Sequence, residues 1–495
     1  MRIDDLMSKT GVAFGTSGAR GLVAAMTDQV CYLYVLGFLQ YLREQGELGD
    51  SGEVGIAGDL RPSSPRIMAA CAEAVADFGL RPRYFGCIPT PALAAIGIAH
   101  RMPTMMVTGS HIPDDRNGIK FNRPDGEILK EHEAGIRAQD VPSPDDRFTA
   151  DGAFVAPMAM ALPPEDPSAY EAYIRRYLDF YPAAGLAGVR VGLYEHSTVA
   201  RGAFDAVLTA LGAEVVRLGR SETFVPVDTE AIRAEDLTLA REWAAGGAFD
   251  ALVSADGDGD RPLVADESGT WLRGDIAGVL CARHLGARYV VTPVSSNSVV
   301  ERCGRFEGVV RTRIGSPYVI AAMEELRRIA PGPVVGYEAN GGFMTASDIE
   351  RTGRRLPALP TRDALIVVLS LLFDGPARRR PISQLLAEMP ERHTYSDRLV
   401  DFPSALSDQR LAELTRGDDE ENRQAVDALF AADFGPAVEI DTTDGLRITF
   451  ASGTVAHLRP SGNAPELRAY TEADSVATAR EMNRRCLEIL SGWRD

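Results

Sequence analysis

The chain has 495 residues, of which 45% are hydrophobic and 25% charged, and its 52 Lys and Arg against 70 Asp and Glu give a formal net charge of −18. This length and composition are typical of a folded protein with several domains. The acidic balance argues against nucleic acid or an anionic membrane as a partner, and no apolar run reaches the roughly 18 residues of a membrane span. The N-terminus also lacks the pattern of a signal peptide, so we predict a cytoplasmic protein.

The first polar loop in the chain is FGTSGARG, residues 14–21. Its glycines leave backbone N–H groups free to bind an anion, and Arg20 adds a planar guanidinium group that suits phosphate. The loop matches neither the P-loop nor the dinucleotide-binding fingerprint, so it does not predict a nucleotide site. A plain glycine-rich turn is the alternative.

Short apolar runs alternate with helical stretches from residue 54, and the alternation starts again near residues 189 and 274. Strands that alternate with helices predict sheets built from βαβ units. Three blocks of about 100 residues each are ordinary domain sizes. The proline-rich segment around 157–167 predicts a linker or surface excursion between the first two blocks.

The stretch VTGSHIPDDRNGIKF, residues 107–121, is called the serine loop below. An apolar strand delivers Ser110 to this loop, where a hydroxyl group can act as a nucleophile or phosphate carrier. The hydrolase elbow G-x-S-x-G is absent. His111 has poor geometry for acting as a base on its own neighbour, whereas Lys120 is a better proton carrier if burial and nearby charge lower its pKa. The alternative is a structural turn that carries polar side chains without a catalytic role.

The metal loop, DGDGDR at residues 256–261, lies between two strand-like runs. Its three alternating carboxylates can converge only on a cation, and ligands that are all oxygen favour Mg²⁺ or Ca²⁺. These carboxylates belong to Asp256, Asp258 and Asp260. An EF-hand is excluded because Arg261 stands where the loop needs glycine and because the flanks are strands. A solvated acidic turn is the alternative.

The sugar loop, GYEANGG at residues 336–342, ends another apolar strand. Glu338 and Asn340 supply the acceptors and donors that suit sugar hydroxyl groups, although a structural turn explains them equally well.

After residue 390 the order of elements changes to that of an α+β domain. This region contains the phosphate loop, RPSGNAPELR at residues 459–468. Its guanidinium, hydroxyl, amide and backbone N–H groups predict a phosphate-binding hairpin, with a plain hairpin turn as the alternative. The predicted binding residues are Arg459, Ser461, Gly462, Asn463 and Arg468.

In their order and spacing, these loops resemble those of the α-D-phosphohexomutases, the phosphomannomutase/phosphoglucomutase family, over nearly the whole chain. The resemblance implies an α/β fold of four domains around a central cleft, with three related α/β domains that have mixed sheets and a C-terminal α+β domain. The implied domains are 1–152 with the serine loop, 153–265 with the metal loop, 266–388 with the sugar loop and 389–495 with the phosphate loop.

The resemblance also implies an isomerase that interconverts hexose 1-phosphate and hexose 6-phosphate, of mannose or glucose. Ser110 would carry the phosphoryl group, and hexose 1,6-bisphosphate would be both intermediate and activator. Lys120 and Arg20 would be the proton-transfer and phosphate-stabilising groups. The implied ligands of a Mg²⁺ ion are the phosphorylated Ser110, Asp256, Asp258 and Asp260. Substrate would be bound by Arg261, Glu338, Asn340 and the phosphate loop.

The chain departs from the common family pattern at three positions. Gly109 and Ile112 stand where Ala and Asn are commoner, and Gly342 stands where many relatives have His. If that histidine acts as a general base in relatives, then in this chain either no residue or Lys120 takes its place. Because the same loop contacts the sugar, the sequence does not predict which sugar is preferred.

Other functions use the same residues. Phosphoglucosamine mutase is the nearest alternative within the family, and a Mg²⁺-dependent sugar-phosphate phosphatase or a non-catalytic sugar-phosphate binding protein are alternatives from other classes. The partners we expect are small sugar phosphates, with no nucleic acid or membrane, for a monomer or a dimer.

Overall fold

A computed structural model of the chain describes residues 1–15, 17–155, 162–461 and 465–494. The chain divides into two units, the first formed by Met1–Val290 with Gly315–Leu386 and the second by Val291–Ile314 with Ala387–Asp495. Every helix within the described ranges is too short or too polar to cross a membrane. Part of the predicted proline-rich linker, residues 156–161, lies outside the described residues.

The first sheet belongs to the first unit and has seven strands in the order β1-β2-β6-β5-β3-β4, with β7 beside β6. These strands are β1 (Ala13–Phe14), β2 (Gly18–Leu22), β3 (Glu53–Gly58), β4 (Arg81–Tyr84), β5 (Thr104–Val107), β6 (Arg116–Arg123) and β7 (Gly126–Glu127). The helices of this region are α1 (Ile3–Thr10), α2 (Asp28–Gln45), α3 (Ser64–Asp77), α4 (Thr90–Ala99) and α5 (Lys130–Arg137). Because β3 runs parallel to β4 and β5 whereas β6 runs antiparallel to β2 and β5, the sheet is mixed.

The second sheet, also in the first unit, has the strand order β11-β10-β8-β9. Its strands are β8 (Arg190–His196), β9 (Glu214–Arg220), β10 (Ala251–Ala255) and β11 (Pro262–Ala265), and its helices are α6 (Ser168–Phe180), α7 (Arg201–Ala210) and α8 (Ala234–Ala244). Strand β8 is parallel to β9 and β10, whereas β11 pairs antiparallel with β10. The β10–β11 hairpin therefore presents the metal loop at its turn.

The third region follows residue 266 and contains the sugar loop. In chain order its elements are α9 (Gly274–Leu285), β12 (Tyr289–Pro293), α10 (Val299–Arg302), β13 (Gly308–Thr312), α11 (Ser316–Ile329), β14 (Val334–Tyr337), β15 (Phe343–Thr345), β16 (Ile349–Arg351), β17 (Arg354–Leu356), α12 (Ala364–Asp374) and α13 (Ile382–Ala387). Of these, α10 and β13 lie within Val291–Ile314 and so belong to the second unit. Strands β14 and β15 pair antiparallel with Tyr337 opposite Phe343, so the sugar loop is the turn of this hairpin.

The second unit contains a sheet of five strands in the order β18-β22-β21-β20-β19. These strands are β18 (His393–Leu399), β19 (Ala437–Asp441), β20 (Leu446–Phe450), β21 (Val455–Pro460) and β22 (Leu467–Ala473), and the helices are α14 (Ser404–Glu413), α15 (Asp419–Phe434) and α16 (Val476–Ser491). All of its strand pairs are antiparallel. The segment Val291–Ile314 belongs to this unit, and the backbone N–H of Ser298 donates to Glu472 at 3.0 Å.

Burial and local signals explain why these elements form. Helix α2 begins after Thr27, whose side chain accepts a hydrogen bond from the N–H of Val30, and ends at Gly46 in the left-handed conformation. Helix α15 begins with a capping box formed by Asp418 and Glu421. All six cysteines are free; four are buried, Cys303 is half-buried and Cys87 is exposed.

Candidate active site

Ser110 lies at the end of β5 in an unusual backbone conformation. Its φ angle is 57°, in the left-handed region that a serine seldom adopts. The backbone N–H of Ser110 donates to the hydroxyl of Thr108 at 2.7 Å, and that hydroxyl donates to Asp59 at 2.7 Å. These bonds hold the serine in place, and strain of this kind is common at functional sites.

The metal loop converges as its residue types predict. Oδ1 of Asp256 accepts hydrogen bonds from the backbone N–H groups of Asp260 at 3.2 Å and Arg261 at 3.1 Å. These two bonds from the end of the loop to its first residue hold the backbone in a tight turn. Asp256, Asp258 and Asp260 are fully buried, and one carboxylate oxygen of each lies within 4.8 Å of the others. Three buried acidic groups at this spacing need positive charge nearby.

The serine loop and the metal loop meet at Asp256. The hydroxyl of Ser110 donates to Oδ2 of Asp256 at 2.6 Å. Burial and the neighbouring Asp258 and Asp260 raise the pKa of Asp256 well above its usual value. The structure thus brings the predicted nucleophile into contact with one of the predicted metal ligands.

Lys120 supplies part of the compensating charge. It lies on β6 between β5 and β2, opposite Met106 on one side and Gly18 on the other. Its ammonium group donates to Oδ2 of Asp258 at 2.6 Å and to Oδ2 of Asp260 at 2.7 Å. Burial lowers the pKa of Lys120, but these two carboxylates outweigh it and the net shift is upward. The lowered pKa that would have favoured Lys120 as a resting base is therefore not found.

Lys120 binds one oxygen of Asp258 and one of Asp260, and the other oxygen of each accepts no hydrogen bond from the described residues, although Nε of Arg261 lies 3.8 Å from Oδ1 of Asp260. Oδ2 of Asp258 also accepts from the Thr90 hydroxyl at 2.6 Å. Oδ1 of Asp258 and Oδ1 of Asp260 are buried, and neither has a hydrogen-bond partner among the described residues. Unpartnered buried carboxylate oxygens are costly unless a cation takes them up. The residues present therefore fit a hard divalent cation such as Mg²⁺.

Arginine side chains surround the serine and the aspartates. Arg261 donates to Nδ1 of His111 at 3.0 Å, and the same nitrogen lies 3.3 Å from the Ser110 hydroxyl. Burial and the neighbouring Arg261 lower the pKa of His111 to about 3, so this imidazole is neutral. Burial and Arg261 also lower the pKa of Arg20 to about 10, which leaves the group charged at neutral pH. Such a cluster of guanidinium groups favours an anion.

Arg61 is a residue of this site that the sequence motifs did not reveal. Its side chain is fully buried, forms an ion pair with Asp59 and donates to the backbone oxygen of Ser110 at 3.2 Å. Its guanidinium carbon lies 4.0 Å from the ring centroid of Phe224. A Cβ atom at Gly109 would lie 2.7 Å from that same carbon. The space that a larger residue would occupy at position 109 is therefore used by Arg61.

The sugar loop holds its two predicted residues in a buried turn. The side chain of Asn340 accepts from the N–H of Gly342 at 2.9 Å, and the N–H of Glu338 donates to the backbone oxygen of Gly342 at 3.1 Å. A second missed residue, Arg362, donates to Oε2 of Glu338 at 3.1 Å and to Oδ2 of Asp260 at 3.0 Å. The sugar and metal loops are thus linked by one guanidinium group.

The phosphate loop lies in the second unit, and Gly462 and Asn463 lie outside the described residues. Arg459 donates to Asp444 at 2.9 Å and Arg468 to Glu466 at 3.1 Å, whereas the backbone N–H of Ser461 donates to Glu466 at 2.8 Å. Strand pairing places Arg468 directly opposite Arg459 and also opposite Arg398 on β18. A row of three like charges on neighbouring strands is unfavourable unless acidic groups or an anion compensate it.

Comparisons with known proteins identify the family of the chain. The chain matches the models for phosphoglucomutase/phosphomannomutase α/β/α domain I at residues 11–140, α/β/α domain III at 273–393 and the C-terminal domain at 410–489.

Two phosphomannomutases are similar in sequence. That of Salmonella muenchen is 45% identical over 96% of this chain and 95% of its own length, and that of Sinorhizobium fredii is 42% identical over 97% and 99%. The crystal structure of a phosphoglucomutase/phosphomannomutase family protein from Burkholderia thailandensis has the same fold, with a TM-score of 0.72, 21% identity and 97% coverage of both chains. The multidomain α/β fold predicted from the sequence is confirmed, and the chain belongs to the phosphoglucomutase/phosphomannomutase family.

Proposed function

We propose that this protein interconverts the 1-phosphate and 6-phosphate of mannose or glucose through a phosphoryl group carried on Ser110 and a hexose 1,6-bisphosphate. Membership of the family makes the chain a phosphohexomutase, an isomerase of carbohydrate metabolism. The observation that carries the residue-level proposal is the 2.6 Å hydrogen bond from the Ser110 hydroxyl to Asp256, inside a buried carboxylate cluster flanked by arginines. The name phosphomannomutase, carried by the relatives at 45% and 42% identity, supports mannose as a substrate.

The proposed chemistry conserves one phosphoryl group and one proton in each half-reaction. The bond between phosphorus and Oγ of Ser110 breaks while the free hydroxyl of the sugar phosphate forms the new bond to phosphorus. The bisphosphate then presents its other phosphoryl group, which returns to Oγ in the reverse step. No net proton is released, because the one lost from the attacking hydroxyl balances the one gained by the leaving oxygen.

Lys120 is the group to which we assign this proton. Its raised pKa keeps the resting side chain as an ammonium ion, which is a proton donor to the seryl oxygen as that oxygen departs. The amine that remains is a strong base for the same reason, and it takes up the proton of the sugar hydroxyl. Lys120 therefore fills both roles without a histidine in the sugar loop.

The acidic cluster is proposed as the Mg²⁺ site. Asp256, Asp258 and Asp260, together with the phosphate on Ser110, would hold the ion, which supplies charge neutralisation for the transferring phosphoryl group. The guanidinium groups of Arg20 and Arg261 add positive charge to that of the ion, and we propose that they bind phosphate oxygens. Their planar guanidinium groups match phosphate in geometry as well as charge.

Substrate recognition is proposed for the sugar and phosphate loops. Glu338 and Asn340 would bind hydroxyl groups that both orientations of the sugar share. The phosphate that is not being transferred would be bound by Arg459, Ser461, Gly462, Asn463 and Arg468. The division into domains 1–152, 153–265, 266–388 and 389–495 belongs to the same proposal, since each predicted domain carries one of the four functional loops.

One assay separates the proposed function from its alternatives. Mannose 1-phosphate, glucose 1-phosphate and glucosamine 1-phosphate are each supplied with Mg²⁺ and a trace of hexose 1,6-bisphosphate, and hexose 6-phosphate and free phosphate are measured. We expect 6-phosphate from mannose and glucose. Preference for the glucosamine compound would indicate phosphoglucosamine mutase, release of free phosphate alone would indicate a phosphatase, and binding without any turnover would indicate a non-catalytic binding protein.

A further inference from the structure

Arg362 makes direct contacts with the metal loop and with the sugar loop. Its Nε donates to Oδ2 of Asp260 at 3.0 Å, and its Nη1 donates to Oε2 of Glu338 at 3.1 Å and to the hydroxyl of Ser316 at 3.2 Å. The side chain is only 3% exposed. A buried guanidinium group forms ion pairs with both carboxylates at once, so their side-chain conformations depend on each other.

Arg362 contacts one oxygen of each of these carboxylates. Oδ1 of Asp260 is buried and accepts no hydrogen bond within the described ranges. On Glu338, the contact with Arg362 is made through Oε2. Arg362 and Lys120, which donates to the same Oδ2 of Asp260 at 2.7 Å, therefore hold this oxygen and leave Oδ1 as the one without a hydrogen bond from the described residues.

The backbone around Arg362 is anchored on both sides. The hydroxyl of Thr361 donates to Glu127 at 2.6 Å. Asp363 caps helix α12 and accepts a hydrogen bond from the hydroxyl of Tyr173 at 2.7 Å. These buried bonds leave the arginine little freedom to change position, which is what precise placement of a neighbouring group requires.

Gly342 provides the space that Arg362 fills. A Cβ atom at position 342 would lie 2.5 Å from Cδ of Arg362 and 2.6 Å from its Cγ, far closer than such atoms approach one another. Any larger residue at this position would have to displace the arginine. The glycine in the sugar loop and the arginine before α12 therefore act as one structural pair.

We propose that Arg362 is a positioning residue that orients Asp260 toward the divalent cation and Glu338 toward the sugar hydroxyl groups. The identity of the two ligands rests on the proposed function, whereas the contacts of Arg362 do not. One side chain thereby couples metal binding to sugar binding, so a change at Arg362 or Gly342 weakens both.

The test uses two variants that disturb the contact in different ways. Arg362→Lys keeps the positive charge but lacks the fork that reaches two carboxylates, and Gly342→Ala displaces the arginine while leaving every charge in place. Mn²⁺ binding is titrated by electron paramagnetic resonance, and mannose 1-phosphate binding by calorimetry. We expect each dissociation constant to rise roughly tenfold in both variants, as is common when a partner of a metal ligand is lost.

The matched control is Arg392→Lys. Arg392 is also buried and forms an ion pair with Glu472 at 2.6 Å, but it lies in the second unit, away from the metal and sugar loops in the sequence. We expect both dissociation constants to stay unchanged in this variant. Circular dichroism checks that each variant is folded, and Gly342→Ala decides the question if Arg362→Lys does not fold.

The outcomes separate this inference from the proposed function. Folded variants with unchanged affinities for both probes would overturn it, and a change in only one affinity would overturn the coupling. If the unmodified protein neither binds nor converts mannose 1-phosphate, the proposed substrate is wrong, and the Mn²⁺ titration alone then decides whether Arg362 orients Asp260.

Discussion

The hydroxyl of Ser110 donates a hydrogen bond of 2.6 Å to Asp256, a residue 146 positions further along the chain. The first comes from the turn after β5 and the second from the hairpin of β10 and β11. The left-handed conformation of Ser110 costs of order 1–3 kcal/mol, and such strain persists only where the surroundings hold it. The contact with Asp256 places the hydroxyl beside the candidate cation site, which gives this strain a functional reason.

Replacing Ser110 with alanine tests its role as the phosphoryl carrier. We expect Ser110→Ala to lower turnover of mannose 1-phosphate by at least about 1000-fold, because the group that accepts the phosphoryl is gone. Intact mass after incubation with hexose 1,6-bisphosphate should show a phosphoryl group on the unmodified protein and none on the variant. The control is Ser8→Ala on α1, where the hydroxyl donates to the backbone oxygen of Asp4 at 3.0 Å. A phosphoryl group still found on Ser110→Ala would assign the carrier to another residue.

Removing the divalent cation should lower the stability of the protein. A ligand that binds only the folded state at 100 times its dissociation constant stabilises that state by about 2.7 kcal/mol. We therefore expect Mg²⁺ to raise the midpoint of thermal unfolding and EDTA to reverse the rise. Asp258→Asn should abolish this response, because a neutral amide replaces a buried ligand, whereas Glu439→Gln in β19 should keep it. An equal rise in Asp258→Asn would place the ion elsewhere.

Much of the site could be predicted because its chemistry lies in short loops. The aspartates of the metal loop are separated by single glycines, and each predicted loop follows an apolar strand, so residue type and position in the fold are both readable from local sequence. The alternation predicted from residue 54, and again near residues 189 and 274, matches β3, β8 and α9 for the same reason. Local patterns carry information about neighbours in the chain.

Arg61 and Arg362 could not be predicted in this way, because each acts through partners far away in the sequence. Arg61 reaches Ser110 across 49 residues, and Arg362 reaches Asp260 across 102. The only local sign was the glycine at positions 109 and 342, which leaves the room that the two arginines occupy. The direction of the pKa shift of Lys120 could not be predicted for a similar reason, because the sequence does not show which carboxylates lie near its ammonium group. The domain boundaries and the residues of the phosphate loop remain predictions.

Lys120 should stabilise the folded protein as well as transfer a proton. In the absence of metal, its ammonium group is a direct partner of both Asp258 and Asp260. Breaking a buried ion pair by removing one partner typically costs about 3–5 kcal/mol, because the remaining charge is left uncompensated. We expect Lys120→Met to lower the free energy of unfolding by about this amount in EDTA, and Mg²⁺ to restore part of it.

The measurement for Lys120 is urea unfolding with and without Mg²⁺, with Lys9→Met at the exposed end of α1 as control. A loss below about 1 kcal/mol in EDTA would contradict the role of Lys120 as a compensating charge for the two aspartates.

The arginine row of the second unit tests the proposed phosphate loop. Arg398, Arg468 and Arg459 lie directly opposite one another on three neighbouring strands, and Glu466 pairs with the first two. Because the proposed phosphate contact is made equally by bound substrate and transition state, losing it should raise KM without changing kcat. We expect Arg459→Ala to raise KM for mannose 1-phosphate roughly tenfold, which is the effect of losing one charged hydrogen bond. Arg485→Ala on α16, whose guanidinium pairs with Asp433, is the control and should leave KM unchanged. If Arg459→Ala lowers kcat and keeps KM, Arg459 acts on the reacting phosphoryl group instead of on the bound phosphate, and the proposed division of roles between the loops is wrong.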